Sequence, residues 1–128
     1  MISKPGLYLS IYLIKNLPYH APMNITAHGV MTALAEPRRQ QIVELLAKKA
    51  PLKATDIASH FDVTPAAVSQ HLKVLREAKV VMMTKRAQQR LYRINPQAFA
   101  ELEQWSRRMK ETWTARFDQL EALLNERE

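Results

Sequence analysis

Apolar residues recur three and four positions apart over most of this chain and two apart over one short stretch, which predicts helices interrupted by a single hairpin. Ile25, Met31 and Leu34 suggest a first helix, started or interrupted near Gly29. Glu36-Pro37 punctuates the chain, and proline suits a first helical position. Ile42, Val43, Leu45 and Leu46 then form the apolar face of a helix from about Pro37 to Lys49, which Pro51 stops. Ala54 to Phe61 reads as a short third helix with Ile57, Ala58 and Phe61 facing inward, and residues 62 and 63 as a tight turn. Thr64, a good N-cap, and Pro65 open a fourth helix with the stripe Val68, Leu72 and Leu75.

After Ala78 the period changes. "VVMMT" and "RLYRI" lean towards strand, with the polar "KRAQQ" as the loop of a hairpin between them. Alternation in "RLYRI" sends Leu91 and Arg93 to one side and Arg90, Tyr92 and Ile94 to the other. Either set suits packing. Asn95-Pro96 caps a last helix whose stripe is Leu102, Trp105, Met109, Trp113, Phe117, Leu120 and Leu124. From Pro96 to Asn125 this helix spans about 45 Å, more than a compact domain of this size needs. The predicted fold is mostly α with a small β-hairpin, in the order α-α-α-α-β-β-α, and its third and fourth helices with their tight turn form a helix-turn-helix.

The stripe of the fourth helix leaves its front end bare. Pro65, Ala66, Ala67, Ser69 and Gln70 are mostly small or short polar residues, where a solvated face usually carries Glu and Lys. Ala66, Gln70 and Lys73 share that face at helical spacing, with Ser69 beside them. The second helix of a helix-turn-helix presents such residues to the major groove, only about 12 Å wide. Small side chains let its backbone approach the base edges, Gln70 suits a bidentate pair with adenine, and the Thr64 hydroxyl and helix N-terminus suit a phosphate.

Charge sharpens that picture. The chain of 128 residues has a net charge of +7. Residues 37–93 hold twelve Lys/Arg against four acids, and residues 94–128 hold five against seven. A basic middle points to a polyanionic partner. Lys85, Arg86 and Arg90, with Arg93 further along the return strand, form a basic ribbon on the hairpin with no acid to offset them. Each feature singly is more often structural than functional. Their order, capped short helix, tight turn, capped bare helix and basic hairpin, favours duplex DNA.

"ALAEPRRQQIVELL", "ATDIASHFDVTPAAVSQHLKVLREAKVV" and "RAQQRLYRIN" resemble, in family order, the ArsR/SmtB family of winged-helix bacterial repressors. The resemblance covers roughly Met31 to Asn95 and implies a dimer of winged helix-turn-helix domains, with the fourth helix in the major groove, the hairpin as wing, and the first and last helices as interface. It places His71, inside "SQHL", as a DNA-backbone contact or a packing residue. Two departures stand out. Glu36 replaces the usual Asp before the proline and is a poorer cap. Asp62 stands where a glycine often turns the chain.

Many members of that family release DNA on binding metal. There is no cysteine here, so thiolate sites, disulfides and thiol catalysis are excluded. Asp56 and His60 are spaced for one helix face, but two ligands do not make a zinc site. No cofactor is expected, no catalytic constellation appears, and the chain has only two glycines, too few for a phosphate loop. Any small-molecule effector is unknown. No run approaches the roughly 18 apolar residues of a membrane span. Residues 1–22 read as an extension: a signal-peptide core, an added strand, or the product of an upstream start codon. A dispensable extension is the favoured reading, with 23–128 as a winged helix domain carrying dimerisation helices. The expected function is a cytoplasmic dimeric repressor on a pseudo-palindromic operator. A winged helix used only as a protein-interaction module is the alternative, and a metal-responsive repressor with an atypical site a further one.

Overall fold

The computed structural model describes residues 25–126. The extension 1–22 and the domain start at Met23 lie outside the described residues. The elements are α1 (Ala27–Ala33), α2 (Pro37–Lys49), α3 (Ala54–Ala58), α4 (Pro65–Glu77), β1 (Val81–Arg86), β2 (Gln89–Ile94) and α5 (Pro96–Glu126).

Gly29 neither starts nor breaks α1. Thr26 caps the helix, its hydroxyl accepting from the Gly29 N–H at 3.0 Å, and a Cβ at Gly29 would sit 3.0 Å from that same oxygen. The missing side chain makes room for the cap. Ala27, Val30 and Ala33 form the buried face. Arg39 and Gln40 of α2 reach back to the Ala33 and Leu34 carbonyls at 2.6 Å each, which satisfies the open end of α1.

The core joins Val30 and Ala33 to Ile42, Val43 and Leu46 of α2, Ile57 and Ala58 of α3, and Val68, Leu72 and Leu75 of α4. Val80, Val81, Tyr92 and Ala98 close it from the hairpin and α5. The third helix is shorter than its pattern suggests. It ends at Ala58, and the chain tightens through three-residue bonds from His60 N–H to Ile57 and from Phe61 N–H to Ala58, both 3.1 Å. Among the described residues the non-glycine positions with positive φ are Lys79 and Ala87, so the turn at Asp62 needs no left-handed residue and no glycine.

The hairpin is also tighter than expected. Lys85, Arg86 and Gln89 belong to the strands, leaving Ala87 and Gln88 as a two-residue turn with Ala87 at φ 56°. Pairing Val81 with Ile94 and Met83 with Tyr92 puts these four residues on the face that meets the core. The alternation left open by sequence is thereby resolved: Tyr92 and Ile94 pack inward, Arg93 lies outside and donates to the Thr84 hydroxyl at 3.0 Å. A two-stranded hairpin is marginal alone. Here a bridge between Leu52 and Tyr92, with N–H···O distances of 3.1 and 2.8 Å, ties its root to the segment before α3.

Helix α4 closes with paired bonds from Val80 N–H to Leu75 and from Lys79 N–H to Arg76, at 2.9 and 3.0 Å. This Schellman closure places Lys79 at φ 64°, a left-handed position that glycine occupies at lower cost. Lys79→Gly is expected to stabilise the fold by roughly 0.5–1 kcal/mol, the relief of strain exceeding the added freedom of the unfolded chain. A urea midpoint equal to or below that of the natural chain would contradict this.

Candidate nucleic-acid interface

Thr64 caps α4 by accepting from the Ala67 N–H at 3.1 Å. Its hydroxyl hydrogen stays available to an outside acceptor. With Val68, Leu72 and Leu75 held in the core, the helical rotation turns Ala66, Ser69, Gln70 and Lys73 outward within one arc of about 100°. All four are exposed, as are Thr64 and Pro65. The bare front end is therefore a solvent-facing ridge.

His71 departs from that ridge. It lies on the flank of α4, its side chain 24% exposed, with Nδ1 3.5 Å from Glu36 Oε2. It faces the start of α2. Glu36, expected to cap poorly, does cap: its other carboxylate oxygen accepts from the Arg38 N–H at 3.0 Å. That bond holds the Glu36 carboxyl below its usual range against the opposing effect of partial burial, and His71 adds to the lowering. A carboxyl depressed in the folded state stabilises the fold above its unfolded pKa, and that stabilisation is lost as pH falls through the lower folded value. The urea midpoint of Glu36→Gln is thus expected to trail the natural chain near neutrality, with the gap closing below about pH 4.5. A gap constant from about pH 6 to about pH 3 would refute the assignment.

The hairpin projects beside α4. Its inner face begins with Val81, Met83, Tyr92 and Ile94 and ends, beyond the body, in the facing pair Lys85 and Arg90. Arg86, paired with Gln89, lies on the other face near the tip. Like charges directly opposite on a sheet repel, at a cost of a few tenths of a kcal/mol. No carboxylate among the described residues lies within ion-pair distance of Lys85, Arg86, Arg90 or Lys73.

A second surface lies on α5. Leu102 packs on the domain's own core and Trp105 is half-buried, so these two expected interface residues are at least partly used within the chain. Beyond them Met109, Trp113, Phe117, Leu120 and Leu124 are 45–70% exposed. Leu123, absent from the sequence stripe, joins them at 60%. Among the described residues no group of three or more His, Asp or Glu is placed to hold a metal ion. No helix among them is long and apolar enough to cross a membrane.

Comparison with known proteins bears on the family and the fold. Residues 36–82, from the capping Glu36 through α4 into β1, match the family model described as bacterial regulatory protein, arsR family. The transcriptional repressor SdpR of Bacillus subtilis is 31% identical over 78 residues, covering 61% of this chain and 86% of SdpR. An ArsR-like transcriptional regulator from Rhodococcus sp. RHA1 superposes with a TM-score of 0.70 at 22% identity, over 76% of this chain and 91% of that one. Mb0332 of Mycobacterium bovis, described as a homodimeric winged helix-turn-helix DNA-binding domain and a possible ArsR-family regulator, gives 0.53 at 25% identity, over 66% and 78% of the two chains. A capped helix with a bare front, a basic wing beside it and these likenesses converge: the chain belongs to the ArsR family of bacterial regulatory proteins, as a transcriptional regulator with a winged helix-turn-helix DNA-binding domain.

Proposed function

We propose that this protein is a cytoplasmic, non-enzymatic repressor. It works as a two-fold dimer, with one α4 from each protomer entering successive major grooves of a pseudo-palindromic operator. The observation that carries this reading is the juxtaposition of an exposed ridge of small side chains, Thr64 to Lys73, with an acid-free basic hairpin. Thr64, Pro65, Ala66, Ser69 and Gln70 meet the groove, and Lys73, Lys85, Arg86 and Arg90 meet phosphates. His71 acts through Glu36, fixing the rotation of α4 against α2. The working domain runs from 23 to 128, and residues 1–22 are dispensable for duplex binding.

The exposed stripe on the outer half of α5 supports the dimer. Six large apolar side chains on one helix exceed what a monomer leaves in water without a partner. The homodimeric state described for Mb0332 is the arrangement adopted here for this chain. Two recognition helices then sit one duplex turn apart, about 34–36 Å.

The test is a fluorescent duplex carrying a site selected from a random pool, titrated at several salt concentrations. Four cations per protomer, each meeting one phosphate at about 0.9 counterion, give the dimer a log–log salt slope of about −7 or steeper. A slope near zero, or a pool from which no inverted repeat emerges, would refute the reading.

A further inference from the structure

We propose that a cleft between α4, the wing and the start of α3 is a binding site for one backbone phosphodiester of the bound duplex, with Lys53 and Thr55 as its unrecognised members. This rests on the DNA-binding reading above. Lys53, Thr55, Ser69, Gln88 and Arg90 line the cleft, and the buried ring of Tyr92 contributes to its wall.

Nothing in the sequence places Lys53 beside Arg90, 37 positions away. The Leu52–Tyr92 bridge does so. Lys53 directly follows one partner of that bridge, and Arg90 precedes the other by two residues, on the same strand face. Because both bridge N–H groups are engaged, the root of the wing and the segment before α3 are held together.

The chemistry of the lining is one-sided. It offers the Lys53 ammonium, the Arg90 guanidinium, the Thr55 and Ser69 hydroxyls and the Gln88 and Gln89 carboxamides, and it contains no carboxylate. These are the groups that hold duplex phosphates. Among the described residues none of the side chains of Lys53, Thr55, Ser69 or Arg90 is engaged in a hydrogen bond or ion pair. These donors thus line one cleft and, among the described residues, have no partner within the chain. Position completes the argument. If α4 lies in the major groove and the wing lies beside it, the strand bordering that groove passes between them, where this cleft opens.

Phosphate contacts fix register but do not read sequence. The prediction is correspondingly specific. In the salt titration, Lys53→Gln should flatten the slope by about 1.8 for the dimer, one contact per protomer, and raise Kd about fivefold to tenfold on selected and scrambled duplexes alike. Lys53→Arg should restore both. Lys110→Gln, on the exposed part of α5, should change neither. The proposal is overturned if Lys53→Gln matches the natural chain in slope and Kd while Gln70→Ala still alters base preference. In that case the helix-and-wing reading stands and only the cleft falls. If the natural chain binds no duplex better than an unrelated basic protein, both fall. Titration of the DNA-free protein with inorganic phosphate, read from the amide resonances of residues 53–55, separates a free anion from the duplex. Saturating shifts together with an unchanged duplex slope in Lys53→Gln would assign the cleft to free phosphate and overturn the proposal.

Discussion

Replacing Trp113 and Phe117 together by glutamate is expected to leave a folded monomer that binds the operator at least about 100-fold more weakly. Trp113 is 70% and Phe117 56% exposed, and with Met109, Leu120, Leu123 and Leu124 they make a continuous apolar stripe on the half of α5 furthest from the core. Pairing two such stripes removes on the order of 1,000 Å² of apolar surface from water, the scale of a specific interface. Two buried aromatics of this kind carry about 2 kcal/mol or more each, and four carboxylates at the centre of the seam add repulsion and desolvation. The operator loss follows because a monomer engages one half-site, without the effective concentration that linkage gives the second. Folding is not at risk, since the fully buried core draws only Ala98 from α5, at its opposite end. Light scattering of the variant at micromolar concentration checks the point. A dimer with unchanged operator affinity would show that the exposed stripe has another use.

Asn95→Ala is expected to cost about 2–3 kcal/mol, the largest stability loss from any single polar side chain here. Asn95 is fully buried. Its Nδ2 donates to the Lys79 carbonyl at 2.8 Å, and its Oδ1 accepts from the Gln97 N–H at 3.2 Å, capping α5. Its own N–H donates to the Val80 carbonyl at 2.9 Å. One residue thus joins the end of α4, the root of the hairpin and the start of α5. Truncation removes a cap and strands a carbonyl. For a domain of about 100 residues the expected fall in Tm is about 10–20 °C. Asn95→Asp separates the two losses, because it keeps the acceptor for α5 but loses the donor to Lys79. A urea midpoint for Asn95→Ala within about 0.5 kcal/mol of the natural chain would contradict this account.

Much of the architecture is legible in the chain itself, because helical period, proline at first positions and the switch to alternation are local signals. Val68, Leu72 and Leu75 define the inner face of α4, and so its outer one, before any tertiary contact is known. The features that apolar spacing leaves out are of two kinds. Short-range hydrogen bonding decides the end of α3, the role of Gly29 as space for the Thr26 hydroxyl, and the turn at Ala87-Gln88, and apolar spacing does not report it. Long-range pairing decides the rest. Lys53 comes to Arg90 through the Leu52–Tyr92 bridge, His71 of α4 meets Glu36 at the start of α2, and Leu102 packs in part on its own core. No motif marks these encounters. The missed Leu123 is different in kind: it lies beside Leu120 and Leu124 on the helix surface, and a wider apolar arc would have included it.

The most direct measurement concerns Gln70 and Arg86. On duplexes selected by the natural chain, Gln70→Ala is expected to lose about tenfold or more of its discrimination at one base pair in each half-site, while keeping the salt slope. Arg86→Ala is expected to weaken all duplexes alike and flatten the slope, leaving the preferred sequence unchanged. If both substitutions lower affinity uniformly and neither alters which base pair is preferred, the ridge from Thr64 to Lys73 does not read bases.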